Sequence, residues 1–300
     1  MPGTLGGMMV PLVSPFDATT GELAAERYAR HVRYYVDLGV SGVVVAGSSG
    51  ESALLDEGER AQLVAWAREM VPDDRWVVAG VGGESTRITV RRAHDAARAG
   101  ADAVLVVAPH YYGPAMTPAA LAQHYRRVAD DSPVPVILYN IPKYMHFSLA
   151  PTLVSELAKH ENIVGIKDSS GNREVIAGYL ASASPTFSVL TGNAGIFHDS
   201  LKGGASGGIL AVALFAAGLS LEIYDAVQRG EDRVAAAAQE RLAPLGTKIV
   251  GEFGVAGVKA AMDNVALAGG TVRPPLLPLD ALQVALVVDL LRSAELATAA

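Results

Sequence analysis

No cysteine occurs in the 300 residues, so disulfides, thiolate metal sites and a cysteine nucleophile are all excluded. Basic charge is also short: 24 Lys and Arg stand against 31 Asp and Glu, a formal net charge of -7 spread along the chain rather than gathered in runs. That balance argues against a nucleic-acid or anionic-membrane surface and favours small ligands. Apolar runs stop short of the 18 or so residues a membrane helix needs. The opening "MPGTLGGMMVPL" has no basic segment leading into an apolar one, so the expectation is a cytoplasmic protein. The histidines show neither H-x-x-H nor H-E-x-x-H spacing, and no G-x-x-x-x-G-K-[ST] loop is present. Neither a metal nor a phosphate cofactor is therefore expected.

What is abundant is the short apolar run. Half of the residues are hydrophobic, and eight runs recur: "MMVPLV" from Met8, "GVVVAG" from Gly42, "WVVAGVG" from Trp76, "AVLVVAP" from Ala103, "PVILYN" from Pro135, "IVGIKD" from Ile163, "FSVLTG" from Phe187 and "GGILAV" from Gly207. Each is rich in β-branched residues and lacks alternation, the mark of parallel strands covered on both faces. Segments of helical period such as "TRITVRRAHDAARAG" lie between them. Gly39, Gly100 and Gly204 stand at three similar joints, where a helix needs a left-handed cap before the next strand. The pattern predicts a (β/α)8 TIM barrel over residues 1–220 with a C-terminal helical extension over 221–300; an open doubly wound sheet is the alternative.

In such a barrel the chemistry lies just after the strands. Those positions hold Ser48, Ser49 and Glu51, then Tyr111 and Tyr112, Tyr139 and Asn140, Lys167, Asp168 and Ser169, and Gly192 and Asn193. An amine held away from water has its charged form disfavoured, and the neutral amine is a nucleophile whose natural partner is a carbonyl. Lys167 at the end of a buried strand fits that role, with the Tyr139 phenol on the neighbouring strand as a proton shuttle. The plainer reading is that Lys167 pairs with Asp168 or reaches to solvent. "GSSGE" at 47–51 offers hydroxyls and backbone N–H groups to a carboxylate; it also reads as a capping box, Ser48 with Glu51, starting a helix.

The order "GSSGE", "APHYYGP", "LYNIP", "GIKDSSG" and "LTGNAG" resembles the pyruvate-dependent class I aldolases of the dihydrodipicolinate synthase and N-acetylneuraminate lyase family, over about residues 7–280. The resemblance implies a TIM barrel with a C-terminal helical part and a homo-oligomer, usually a homotetramer built from dimers. It also implies a lysine that forms a Schiff base with pyruvate. By position, Lys167 looks like that lysine and Tyr139 like the general acid/base. Ser48 and Ser49 match the hydroxyl pair for the pyruvate carboxylate, and Tyr111 matches a tyrosine that completes the proton relay from an adjacent subunit. Gly192 and Ile209 match positions lining the pyruvate pocket.

After the fifth strand, dihydrodipicolinate synthases carry an arginine for the carboxylate of the aldehyde partner; here "YNIPKYMHFSL" puts Tyr144 at that place. "AGVGGESTRITV", "GIKDSSG" and "FGVAGVKAAMD" look most like 4-hydroxy-2-oxoglutarate aldolases, with Ser169 matching a serine beside the lysine. "KYMHF" departs from that branch too, where a loop of small residues is usual. Lys143 and His146 are then either acceptor-binding or loop residues facing solvent. The resemblance implies reversible aldol cleavage of a 4-hydroxy-2-oxo acid to pyruvate and an aldehyde. The alternatives are 4-hydroxy-tetrahydrodipicolinate synthesis, a 2-keto-3-deoxy sugar acid aldolase or dehydratase, and, from a different class, a non-catalytic 2-oxo-acid sensor.

Overall fold

A computed structural model describes residues 2–296. Strands β1 (Gly7–Pro11), β2 (Gly42–Val45), β3 (Trp76–Gly80), β4 (Ala103–Val107), β5 (Val136–Asn140), β6 (Ile163–Asp168), β7 (Ser188–Thr191) and β8 (Gly207–Ile209) fall within the expected apolar runs, except that β1 begins one residue before its run. They pair in sequence order, all parallel, and β8 pairs back onto β1. This closure excludes the open sheet and makes the molecule a TIM barrel with a C-terminal helical part.

The strand residues are buried almost throughout, because helices cover the outer face of the sheet while side chains fill the barrel. Outside lie α1 (Ala25–Asp37), α2 (Glu57–Met70), α3 (Thr86–Arg98) and α4 (Pro118–Asp131). A single turn, α5 (Pro142–Met145), interrupts the loop after β5, and α6 (Pro151–Leu157), α7 (Arg173–Leu180), α8 (Phe197–Lys202) and α9 (Ala213–Gln228) complete the ring. Gly39, Gly100 and Gly204 have φ of 86°, 98° and 103°, the left-handed conformation expected where a helix turns back into a strand.

The remaining helices are α10 (Asp232–Pro244), α11 (Phe253–Asn264) and α12 (Ala281–Ser293). The division expected after residue 220 falls inside α9, and one apolar core continues from the strands to Leu242, Val258 and Leu291. Pro244 has no N–H to give to the helical ladder, and beyond it the chain runs as a π-helix, Leu245–Glu252. At Gly254, φ 59° and ψ -143° break the ladder in a region open essentially to glycine alone. This kinked passage lies over the barrel mouth. No helix among the described residues is long and apolar enough to cross a membrane.

Three histidines are buried in the shell, His31, His124 and His198. His124 on α4 shares a 2.9 Å hydrogen bond between Nδ1 and the Thr86 hydroxyl, and burial lowers its pKa from 6.5 to about 4. Burial also lowers that of His31 on α1, whose Nε2 lies 2.5 Å from the Leu267 carbonyl. Between pH 6.5 and about 4 the unfolded chain takes up a proton at His124 that the folded chain refuses, so stability rises with pH across that window and is lost as pH falls through it. Urea unfolding at pH 7 and pH 4.5 should show the wild type losing more stability than His124→Gln, the difference being on the order of 2–3 kcal/mol. Equal losses would mean that His124 is not buried in its neutral form.

Candidate active site

The register between β5 and β6 slips after Val136, so that Ile137 faces Gly165 rather than the next residue after Ile163. An irregularity of this kind re-aims the side chains that follow it. Beyond it Tyr139 stands opposite Lys167, and Asn140 opposite Asp168. The Lys167 amine lies 4.4 Å from the centroid of the Tyr139 ring, and the two residues are only 6% and 5% exposed.

Pairing of Lys167 with Asp168 is overturned. Adjacent strand residues point to opposite faces, and the Asp168 carboxylate is engaged elsewhere: Asn140 Nδ2 donates to Oδ1 at 2.7 Å, the Ser170 hydroxyl donates to Oδ2 at 2.7 Å, and the Ser170 N–H to Oδ1 at 3.1 Å. Burial pushes this carboxyl above the usual range while the same hydrogen bonds oppose the rise. Asn140 is fixed in turn, its Oδ1 accepting the Leu149 N–H at 3.0 Å. Lys167, with no carboxylate partner among the described residues, faces a cleft of about 150 Å³. A cavity of that order takes a ligand of roughly six heavy atoms.

The capping-box reading of "GSSGE" is also corrected. Glu51 adopts a left-handed backbone, φ 55°, and gives no side-chain cap to the short 3-10 turn Ser52–Leu54. The capping box at the start of α2 is made instead by Asp56 and Glu59. The loop folds on itself through Gly50 N–H to Gly47 O at 3.0 Å and Glu51 N–H to Ser48 O at 3.1 Å. Ser48 and Ser49 then line the cleft.

Of the residues singled out in the sequence, Ser48, Ser49, Tyr139, Lys143, Tyr144, Lys167, Ser169, Gly192 and Ile209 all line this one cleft. Tyr111 is not among the residues lining it. It is 78% exposed and packs edge to face on Tyr112 at 5.0 Å, its backbone N–H held by Glu84 at 2.9 Å. His146, exposed in a left-handed turn, is likewise outside the cleft. Lys143 spans the mouth, its amine donating to the Gly251 carbonyl at 2.7 Å. Burial raises the Tyr144 phenol pKa. Gly192 is required by close approach: a Cβ there would collide with the Ser169 hydroxyl and come within 2.9 Å of Lys167 Cε.

The sequence reading missed one wall of the cleft. Gly246, Val250 and Gly251 of the π-helix, with Gly254, Val255 and Val258 beyond it, also line it. Their signal in the sequence is the spacing of small residues in "LGTKIVGEFGVAG", a pattern helix packing alone also explains. Among the described residues no cluster of three or more His, Asp or Glu side chains is placed to hold a metal.

Comparison with known proteins gives a consistent result. The dihydrodipicolinate synthetase family model matches residues 4–294. A 4-hydroxy-tetrahydrodipicolinate synthase from Stenotrophomonas maltophilia is 36% identical over 93% of this chain and 92% of its own. The solved dihydrodipicolinate synthase DapA-2 of Bacillus anthracis has a TM-score of 0.92 at 28% identity, covering 97% of this chain and 99% of that one. YagE, a prophage protein of E. coli K12 solved in complex with pyruvate, has a TM-score of 0.91 at 30% identity, with 97% and 99% coverage.

Gly192→Ala should cost roughly 1–3 kcal/mol by overpacking, read as a fall of several degrees in melting temperature. An unchanged melting temperature would mean that Ser169 and Lys167 yield freely.

Proposed function

We propose, for a chain that belongs to the dihydrodipicolinate synthetase family of class I pyruvate-dependent lyases, that Lys167 forms the Schiff base and that the substrate is a 4-hydroxy-2-oxo acid cleaved reversibly to pyruvate and an aldehyde. The observation that carries this reading is the Lys167 amine, buried without a carboxylate partner and 4.4 Å from the Tyr139 ring.

In the proposed reaction the neutral amine attacks C2, the Tyr139 phenol gives its proton to the departing hydroxyl so that it leaves as water, and the protonated imine that remains serves as the electron sink, with Tyr139 left as the phenolate. Tyr139 takes the proton of the C4 hydroxyl as the C3–C4 bond breaks, releasing the aldehyde and leaving an enamine. The enamine gains a proton at C3, and water hydrolyses the imine to free pyruvate and restore Lys167. Ser48 and Ser49 hold the pyruvate carboxylate through hydroxyls that line the cleft. Ser169, Gly192 and Ile209 shape the pyruvate end, and Lys143 and Tyr144 the acceptor end, where Lys143 can leave the Gly251 carbonyl to meet a second carboxylate. A homo-oligomer, dimer or tetramer, would bring the exposed Tyr111 to the site of an adjacent subunit.

The names of the curated relatives favour a second reading, condensation of pyruvate with the semialdehyde of an amino acid to give 4-hydroxy-tetrahydrodipicolinate. Against it, no arginine lines the cleft.

Borohydride reduction with pyruvate should add a pyruvate-sized mass to the peptide holding Lys167 and to no other; absence of the adduct removes the Schiff base. Lys167→Ala should lose both adduct and turnover. Tyr139→Phe should still be trapped while cleaving roughly a hundredfold or more slowly, and an unaffected rate would take Tyr139 out of its role. Turnover with glyoxylate against an amino-acid semialdehyde as acceptor separates the two readings.

A further inference from the structure

A second buried lysine lies behind the serine loop. Lys259, on α11, has a side chain 2% exposed, and its amine is 2.6 Å from Oε1 of Glu51, whose side chain is fully buried. It also donates to the carbonyls of Ser14 at 2.8 Å and Thr271 at 2.6 Å, and lies 4.7 Å from the centre of the Phe16 ring. The other oxygen of Glu51 accepts the Arg273 N–H at 2.8 Å, and the Ser14 hydroxyl donates to Gly50 O at 2.7 Å. Arg273 carries a bidentate pair to Glu59, both contacts 2.6 Å, so the group of four charges is neutral overall.

This network ends on the backbone that presents Ser48 and Ser49. The serines are bracketed by two non-glycine residues in the left-handed region, Ala46 at φ 51° and Glu51 at φ 55°, a conformation that persists only where the surroundings hold it. A buried ion pair is poor at raising stability, because desolvating both charges offsets their attraction. Its geometric effect is clearer: it fixes where the Glu51 backbone sits. Val258, the residue before Lys259, is part of the cleft wall, so one turn of α11 touches the ligand space on one side and holds the loop on the other.

We propose that Glu51 and Lys259 are positioning residues, an anchor that sets the Ser48–Ser49 loop in the shape that receives the substrate carboxylate. This rests on the reading of those serines given above. Neither side chain touches the substrate, and the anchor acts through the backbone of residues 46–51. Burial lowers the Lys259 pKa while Glu51 opposes the fall, consistent with a charge kept only by its partner.

The test is Glu51→Gln/Lys259→Met, which removes both charges together and leaves neither stranded. The double variant should melt near the wild type, since replacing a buried pair is close to neutral. It should need about tenfold or more pyruvate for half-maximal borohydride trapping, with the same maximal adduct, the size expected when a charged hydrogen bond is lost. Amide exchange of the ligand-free peptide spanning 46–52 should quicken by about tenfold while strand peptides are unchanged. Glu51→Gln alone, which keeps an acceptor for Arg273 N–H, should shift both readouts the same way and serves if the double variant does not fold. Wild-type trapping and wild-type exchange in either variant would overturn the anchor. Exchange needs no pyruvate, so it still decides the matter if the wild type forms no adduct and only the Schiff-base reading fails.

Discussion

Closure of the sheet between β8 and β1 is the constraint on which the rest of the molecule depends. Only three residues of β8 are paired, Gly207 with Gly7, Gly208 with Met8 and Ile209 with Met9, and a Cβ on Gly207 would lie 2.6 Å from the Gly7 nitrogen. The backbones meet there because no side chain separates them. With the ring closed, the eight strand ends face one mouth, and residues as distant as Ser48, Lys167 and Ile209 share one cleft. An open sheet of the same strands would spread them along an edge.

The molecule treats its two buried lysines in opposite ways. Lys259 is given a carboxylate and two carbonyls, as a buried charge requires. Lys167 is given an aromatic ring and open space, while the carboxylate next to it in sequence is turned away and satisfied by Asn140 and Ser170. Both are buried, and among the described residues only Lys259 has a fixed counter-charge. A lysine free of such a partner is available for a bond to carbon, the role proposed for Lys167. The first lysine is tied into the framework behind the serine loop, and the second is left facing the cleft.

Much of this was legible in the sequence. The strands came from uninterrupted β-branched runs, and the left-handed joints from Gly39, Gly100 and Gly204, because burial on both faces and a positive φ each leave a local mark. Cleft residues at strand ends followed from topology alone, as Lys167, Tyr139 and Gly192 illustrate. What was hidden depends on contacts between distant segments. Nothing near Glu51 announces a partner 208 positions on, and the run S-S-G-E is shared by capping boxes, hence the mistaken cap. The wall from Gly246 to Val258 was hidden for a similar reason: small residues allow close packing without saying against what.

The anchoring of the serine loop also fixes when the site can exist. Glu51 reaches the backbone of Arg273 across 222 residues, and at a synthesis rate of roughly 5–20 residues per second that interval lasts on the order of ten seconds or more. During it strands β3 to β8 and Lys167 are added to the chain, and the contacts of Glu51 with Lys259 and Arg273 are made only at its end. The barrel mouth is finished by segments that follow the eighth strand in the chain. A chain cut short before Leu245 therefore lacks one wall of the cleft and the partners of Glu51, so that the cleft takes its shape only after every strand of the barrel has been made.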